Sequence, residues 1–366
     1  LINFGADETL DQEGPARATL MLAVLALVIG IASGVADPTG NSQGKMAVTA
    51  VIIAIGVFAI GNRLAYALVI AGIMMANGGY SNLQMTVDGM RTRSYFGTYT
   101  VHTQAQYRWI THGTTMHGMQ NLAEPKLPIS YYGPTSGVGA AFARAEEFYG
   151  PNAAMGVVGL GAGTLACYAK PGQDWHFFEI DPVIVDISKR QRVFSYLDRC
   201  TPNAAIHIGD ARLTLAERPK ASLHMLAIDA FSSDSIPLHL LTKEAFDVYR
   251  RILKPDGLLL VHISNRHVDL EPVLAAEAAK GGWSLALRGD KPPRREWDRG
   301  SRTSSWVVMS MDKAALARLT GPLVAAKPNT YAQEGWQPIR RSDGSGRWSD
   351  DYASVLPHLS LWENLK

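Results

Sequence analysis

Apolar residues are spread unevenly along this chain. Residues 18–36 (ATLMLAVLALVIGIASGVA), 46–61 (MAVTAVIIAIGVFAIG) and 64–77 (LAYALVIAGIMMAN) contain no charged side chain. None shows the polar stripe that marks the exposed face of a soluble helix. The first run approaches the roughly 20 residues needed to cross a hydrocarbon core of about 30 Å. The other two are shorter and predict a helical hairpin turning at Gly61-Asn62-Arg63. One helix through both would set Arg63 near mid-membrane, at a cost of at least about 2.5–3.5 kcal/mol. The first run follows Asp7, Glu8, Asp11 and Glu13, where a secretory signal would have a basic region, so a signal peptide is rejected. Buried helices of a soluble core are the remaining alternative. Three such runs so close together favour a membrane segment over residues 1–80 with about three transmembrane helices. Because the chain opens on Leu1, it is expected to be the tail of a longer membrane protein.

Beyond residue 80 the period shortens. Leu83–Val87 and Tyr95–Val101 alternate as strands do, with Asp88-Gly89 between them as a hairpin turn, predicting a small β-unit over 81–133. A helix is expected over 134–149. From residue 154 onward short apolar runs alternate with helical ones. Strands are expected at 155–158, 175–180, 204–208, 223–228, 258–263, 283–287 and 306–309. Helices are expected from 163, 182, 242 and 269. Near-continuous apolar strands separated by helices predict an α/β fold, a Rossmann sheet covered on both faces, over 134–366.

Charge and composition remove several classes. Net charge is +2 with no basic stripe, so no nucleic-acid partner is expected. The run Lys291-Pro-Pro-Arg-Arg reads as a solvated loop. Two cysteines, Cys167 and Cys200, supply neither a disulfide framework nor a metal cluster, and are expected to be buried thiols. His112 and His117 lack the acidic partner of a zinc helix, so a structural or cavity-lining role is expected and no metal. Trp336 and Trp348 are expected to pack.

Ligands of such a sheet sit at the carboxyl ends of its strands, where strand order reverses. Gly159, Gly161 and Gly163 follow the first strand, and glycines there let the backbone approach a ligand. A dinucleotide fingerprint would need glycine where Thr164 stands, which disfavours a pyrophosphate site. Glu179 ends the second strand and suits ribose hydroxyls, while Asp181 suits a helix cap before Pro182. Asp210, beside Ala211, ends the third strand and is placed to accept from an adenine amino group. Asp229 ends the fourth strand, with Asp234 in the loop after it. Two carboxylates there suit holding an amine beside an electrophilic carbon and taking its proton. An alkylamine with a pKa near 10.4, about that of lysine, arrives protonated.

The ordered motifs GLGAGT (159–164), FFEIDP (177–182), HIGDAR (207–212), AIDAFSSDSIPLHLLT (227–242) and ILKPDGLLLVHIS (252–264) resemble the spermidine synthase (aminopropyltransferase) family. The resemblance is nearest its membrane-fused bacterial branch. Tyr95–Tyr99, Thr111–Gln120, Tyr131-Tyr132 and Trp348–Tyr352 are similar to further segments of that branch, so the likeness spans roughly 85–360. It implies a class I methyltransferase-like sheet that transfers an aminopropyl group. The donor would be decarboxylated S-adenosylmethionine, the acceptor a small-molecule diamine, and the by-product methylthioadenosine. By motif position Glu179 would hold the ribose and Asp210 the adenine. Asp229 would act as base with Asp234 helping, and Tyr131 would wall the cavity. Asp350 and Asp351 would cap the last helix or, by a slight preference, reach the active site. Two departures stand out. Soluble members carry an aspartate in the glycine turn that pairs with the donor's ammonium, and here that position is Ala162. The usual Gln-Glu after the first tyrosine is Tyr132-Gly133. Intact S-adenosylmethionine, cleaved or cyclised internally, therefore stays open as a rival reaction. So do a methyltransferase, which the paired acids oppose, and a non-catalytic nucleoside-binding membrane sensor. The expected setting is the inner membrane, multi-pass and in contact with lipid, with the catalytic domain cytoplasmic and a homodimer allowed.

Overall fold

The computed structural model describes residues 8–36, 42–113, 115–190, 193–231, 237–265, 267–324, 335–339 and 347–359. The chain divides into two units, Leu1–Thr92 and Arg93–Lys366.

The first unit is helical: α1 (Glu8–Ala36), α2 (Ser42–Phe58), α3 (Arg63–Met74), a π turn at Met75–Gly79, and α4 (Tyr80–Val87). The break between α2 and α3 falls at the residues the sequence marks for a turn. Asn62 caps α3 there, its side chain accepting from the Ala65 N–H at 3.1 Å. Small residues let the helices approach, since a side chain on Gly30 would run into the backbone of Gly72. Meanwhile Met21, Val28, Val51, Ile53, Val57 and Leu64 are exposed. Two helices, Ala16–Ala36 and Arg63–Val87, are long and apolar enough to cross a membrane, and Gly44–Phe58 is shorter.

The expected strand over 83–87 is instead α4. Leu83 and Val87 are also four apart, so so short a run satisfies either period, and the helix just before it supplies the costly nucleus. Asp88-Gly89 is its C-terminal cap and not a hairpin turn. Gly89 (φ +69°) takes the left-handed conformation, and the Met90 N–H donates to the Met85 carbonyl at 2.8 Å.

Strand β1 (Arg91–Arg93) lies at the division between the units. In the second unit β2 (Thr98–Gln104), β3 (Tyr107–His112) and β4 (Thr115–Asn121) form an antiparallel meander, with Tyr99 opposite His112 and Tyr107 opposite Asn121. The helix expected over 134–149 is two short ones, α5 (Gly137–Phe142) and α6 (Ala145–Tyr149). Then follow β5 (Ala154–Val158), a 3-10 turn at Thr164–Tyr168, β6 (Asp174–Glu179), α7 (Pro182–Lys189), α8 (Tyr196–Cys200), β7 (Ala205–Ile208), α9 (Ala211–Ala216) and β8 (Leu223–Ile228). After them come α10 (Lys243–Ile252), β9 (Leu253–His262), α11 (Glu271–Gly281), β10 (Ser284–Asp290), α12 (Arg294–Asp298), β11 (Ser304–Ser310) and α13 (Lys313–Thr320).

The large sheet runs in the order β10-β11-β9-β8-β5-β6-β7. Strands β9, β8, β5, β6 and β7 are parallel, whereas β11 is antiparallel to both β9 and β10. The sheet is thus mixed, where the sequence predicts a parallel one. A returning strand needs no covering crossover, and only the short α12 separates β10 from β11. Fully buried Val158, Phe178, Leu226, Ile228, Leu259, Val261 and Val307 fill the core beside the sheet. Strand order reverses at β5 and β8, so their carboxyl ends, Gly159 and Asp229, open the crevice.

Cys167 and Cys200 are joined as a disulfide with Cα atoms 4.9 Å apart, and not the separate thiols expected. The 3-10 turn after the glycines and the end of α8 bring them together, a juxtaposition their 33-residue separation conceals.

Candidate active site

The crevice is a cleft of about 370 Å³ whose walls come from both sheets of the second unit. Its floor is the glycine turn. Gly159 has φ +89°, and a β-carbon there would meet the Asp229 carbonyl oxygen at 2.4 Å, so the turn and the end of β8 are in direct backbone contact. The Asp229 N–H also donates to the Val158 carbonyl at 2.8 Å. From the other side β4 presses on the turn. A β-carbon on Gly118 would lie 2.6 Å from that of Ala162, which is sealed at 1 % exposure and faces that strand.

Glu179 is 8 % exposed on the cleft wall. Its carboxylate accepts the N–H groups of Leu160 (2.9 Å) and Asp181 (3.0 Å), which ties the glycine turn to the end of β6. Burial pushes its pKa up, against the pull of those N–H donors. Asp181 caps α7 through the Val183 N–H at 2.9 Å and also accepts from the Ser94 hydroxyl. Burial and then Asp181 raise the Tyr99 hydroxyl far above its ordinary value. Asp210 caps α9, accepting from the Leu213 N–H at 3.1 Å, and meets His239 at 2.9 Å.

Asp229 follows β8 with its side chain 5 % exposed. One oxygen accepts from the Tyr132 hydroxyl, and the other lies 2.6 Å from His262 Nδ1. The Tyr132 hydroxyl is held well above its ordinary pKa, first by burial and then by the Asp229 charge, so it stays a donor. The described lining residues include the carboxylates Glu179, Asp210 and Asp229, the imidazoles of His112, His117 and His239, and no lysine or arginine.

No family model matches the chain. Over 111 residues it is 30 % identical to the polyamine aminopropyltransferase of Vibrio vulnificus, a stretch covering 29 % of this chain and 36 % of that protein. Among solved structures it resembles a probable spermidine synthase from Corynebacterium glutamicum. That likeness has TM-score 0.51 and 16 % identity, and covers 72 % of this chain and 97 % of that one. Spermidine synthase from Thermotoga maritima matches at TM-score 0.43 and 13 % identity, over 61 % of this chain and 72 % of its own. The sequence likeness is to an aminopropyltransferase, and it spans only about a third of that protein's length.

Gly159, Gly161, Glu179, Asp210, Ala211 and Asp229 all line one cleft. Gly163 lies behind it, against Leu197. Tyr131 is not on the wall as expected. Its neighbour Tyr132 is, while the Tyr131 hydroxyl donates to the Met116 carbonyl at 3.2 Å. Two adjacent tyrosines on an irregular segment cannot be ranked without knowing which way the backbone turns. Asp234 lies outside the described residues. Asp350 is not among the residues lining the cleft. It is paired in two-pronged fashion with Arg212 (2.6 and 2.5 Å) and accepts from the Thr242 hydroxyl at 2.9 Å. Trp336 and Trp348 are buried, and His112 and His117 line the cleft. Sequence patterns passed over His239 and His262 as site residues, and marked Tyr132 only as a departure from the family's Gln-Glu. The one legible signal for His262 was a lone histidine ending the apolar run of β9.

Proposed function

We propose that this chain is a membrane-anchored aminopropyltransferase that moves an aminopropyl group from decarboxylated S-adenosylmethionine to a diamine and releases methylthioadenosine. The observation that carries this is the charge of the cleft: three carboxylates and, among its described lining residues, no lysine or arginine. A decarboxylated donor bears a sulfonium and an ammonium and no carboxylate, so it fits a wall of acids without needing a cationic partner. Its adenosyl half would lie along the glycine turn, with ribose hydroxyls at Glu179 and adenine toward Asp210 and Ala211.

Asp229 would hold the acceptor nitrogen beside the carbon next to sulfur, with Asp234 assisting from the same loop. The neutral amine attacks that carbon, a C–N bond forms, and the C–S bond breaks with its electron pair remaining on sulfur. The acceptor arrives as an ammonium, and the Asp229 carboxylate would take its proton before the attack, so the product nitrogen is left as the ammonium of a secondary amine. The leaving thioether is neutral, so the protein supplies orientation and proton removal more than leaving-group help. The apolar outer faces of α1–α3 would contact lipid, with the second unit on the cytoplasmic side where the donor is made.

A second reading draws on Ala162. Its uncharged side chain leaves nothing in the turn to hold a donor ammonium or to repel a carboxylate. Intact S-adenosylmethionine, cleaved or cyclised on itself, would also release methylthioadenosine. The deciding experiment incubates the purified chain with either donor, with and without putrescine, and reads products by mass spectrometry. Methylthioadenosine formed only from decarboxylated donor plus diamine supports transfer. Its formation from a donor alone supports the second reading, and S-adenosylhomocysteine overturns both.

A further inference from the structure

We propose that His262 is the positioning residue of Asp229, fixing through one imidazole tautomer both the charge and the aim of that carboxylate. The proposal rests on the transfer reading for its chemical purpose, and on the geometry around the ring for its substance.

His262 is the last residue of β9, and Asp229 follows β8 next to it in the sheet. Both side chains are 5 % exposed. Three aromatic rings clamp the imidazole. Trp306, its partner across the β9–β11 ladder, stacks at 4.5 Å, Tyr131 stacks at 4.9 Å, and Phe231 stands edge-on at 5.0 Å. The ring therefore cannot turn to exchange its nitrogens without unpacking its neighbours. Nδ1 meets Asp229 Oδ1 at 2.6 Å, and Nε2 meets Ser264 Oγ at 2.7 Å.

The tautomer follows from the partners of the two ring nitrogens. The Ser264 oxygen accepts the N–H of Ser305 at 2.8 Å and keeps its own proton to give, and because the Asp229 carboxylate can only accept, the ring N–H belongs on Nδ1 and the Ser264 proton goes to Nε2. A neutral imidazole that accepts at Nε2 carries its proton on Nδ1 and donates it to Asp229. Tyr132 donates to the other oxygen. Asp229 thus has one fixed donor on each oxygen, and the lone pairs left over face the cleft. Without the donor on Oδ1 the acid would rotate or take up a proton, because a buried carboxylate oxygen left unbonded is costly. A protonated or rotated Asp229 cannot receive the amine's proton.

The test uses the full chain in detergent micelles, labelled with ¹⁵N-histidine and without ligand. The expected spectrum contains an Nδ1–H imidazole signal that vanishes in His262→Gln and moves in Asp229→Asn. An Nε2–H tautomer for His262, or a signal indifferent to Asp229→Asn, overturns the proposal. In parallel, methylthioadenosine formation from decarboxylated donor and putrescine is measured for two variants. His262→Leu is expected to lose about 10–100-fold in kcat, the range seen when an outer partner that orients a working group is removed. Its KM for the donor stays unchanged. His262→Gln, which keeps an N–H donor, recovers most of that loss. Equal losses in the two variants, or a loss confined to KM, mark a packing role and overturn the proposal. A wild-type chain that forms no methylthioadenosine from any donor overturns the transfer reading, and the imidazole signals then decide the His262–Asp229 pairing by themselves.

Discussion

Replacing Gly159 by alanine tests the contact between the glycine turn and the proposed base. Two costs are readable from the backbone alone. At φ +89° an L-residue in the left-handed region costs about 1–2 kcal/mol. Alanine's stiffer unfolded chain returns only about 0.4–1 kcal/mol. To these is added a clash, since the new β-carbon would sit 2.4 Å from the Asp229 carbonyl oxygen and 2.9 Å from its carbon. Relief to ordinary contact requires the turn and the end of β8 to part by roughly 1 Å, and a displacement of that size at reacting groups costs on the order of 100-fold in rate. The net destabilisation, clash included, is expected to reach about 1–3 kcal/mol, which lowers Tm by roughly 2–12 °C for a unit of this size. The assay pairs thermal unfolding followed by intrinsic fluorescence with methylthioadenosine release. A Gly159→Ala chain with unchanged Tm and full turnover would refute both the close approach and the coupling of the turn to Asp229.

Three further expectations follow from the same geometry. Asp229→Asn keeps the shape but removes the proposed proton acceptor, so turnover should fall about 10²–10⁴-fold while methylthioadenosine still binds, as calorimetry can check. Reduction of Cys167–Cys200, which closes 33 residues of chain, should cost about 3–4 kcal/mol by loop entropy. Thiol alkylation read by mass spectrometry should find no free cysteine before reductant, and two alkylated thiols at once would remove the disulfide. The Arg212 guanidinium holds the Asp350 carboxyl down to about 2, below its ordinary 3.8. A depressed carboxyl stabilises the fold above its unfolded pKa and loses that contribution as the folded group is protonated. The contribution should therefore be complete above about pH 4 and vanish toward pH 2, and the slope of stability over that window should flatten in Arg212→Met.

Much of the architecture was legible because it rests on local rules. Long uncharged runs, glycines after an apolar strand, and acids at successive strand ends each carry their meaning within a few residues. The edges of β8 and the cap Asp181 were readable for that reason, whereas the capping of α9 by Asp210 was not. The run 83–87 was not, because so short a segment satisfies two periods and only the helix before it decides between them.

What the sequence determined alone was the order of elements and the chemistry available at the strand ends: a glycine turn, Glu179, Asp210 and Asp229 on consecutive strands. What the tertiary structure decided was which of these groups meet. Tyr132 and not Tyr131 faces the cleft, Asp350 is spent on Arg212, and two distant cysteines come together. His262 acquires a partner only because β9 lies beside β8. Each of these joins residues far apart in the chain, and no period or spacing records a contact that exists only once the strands are laid side by side.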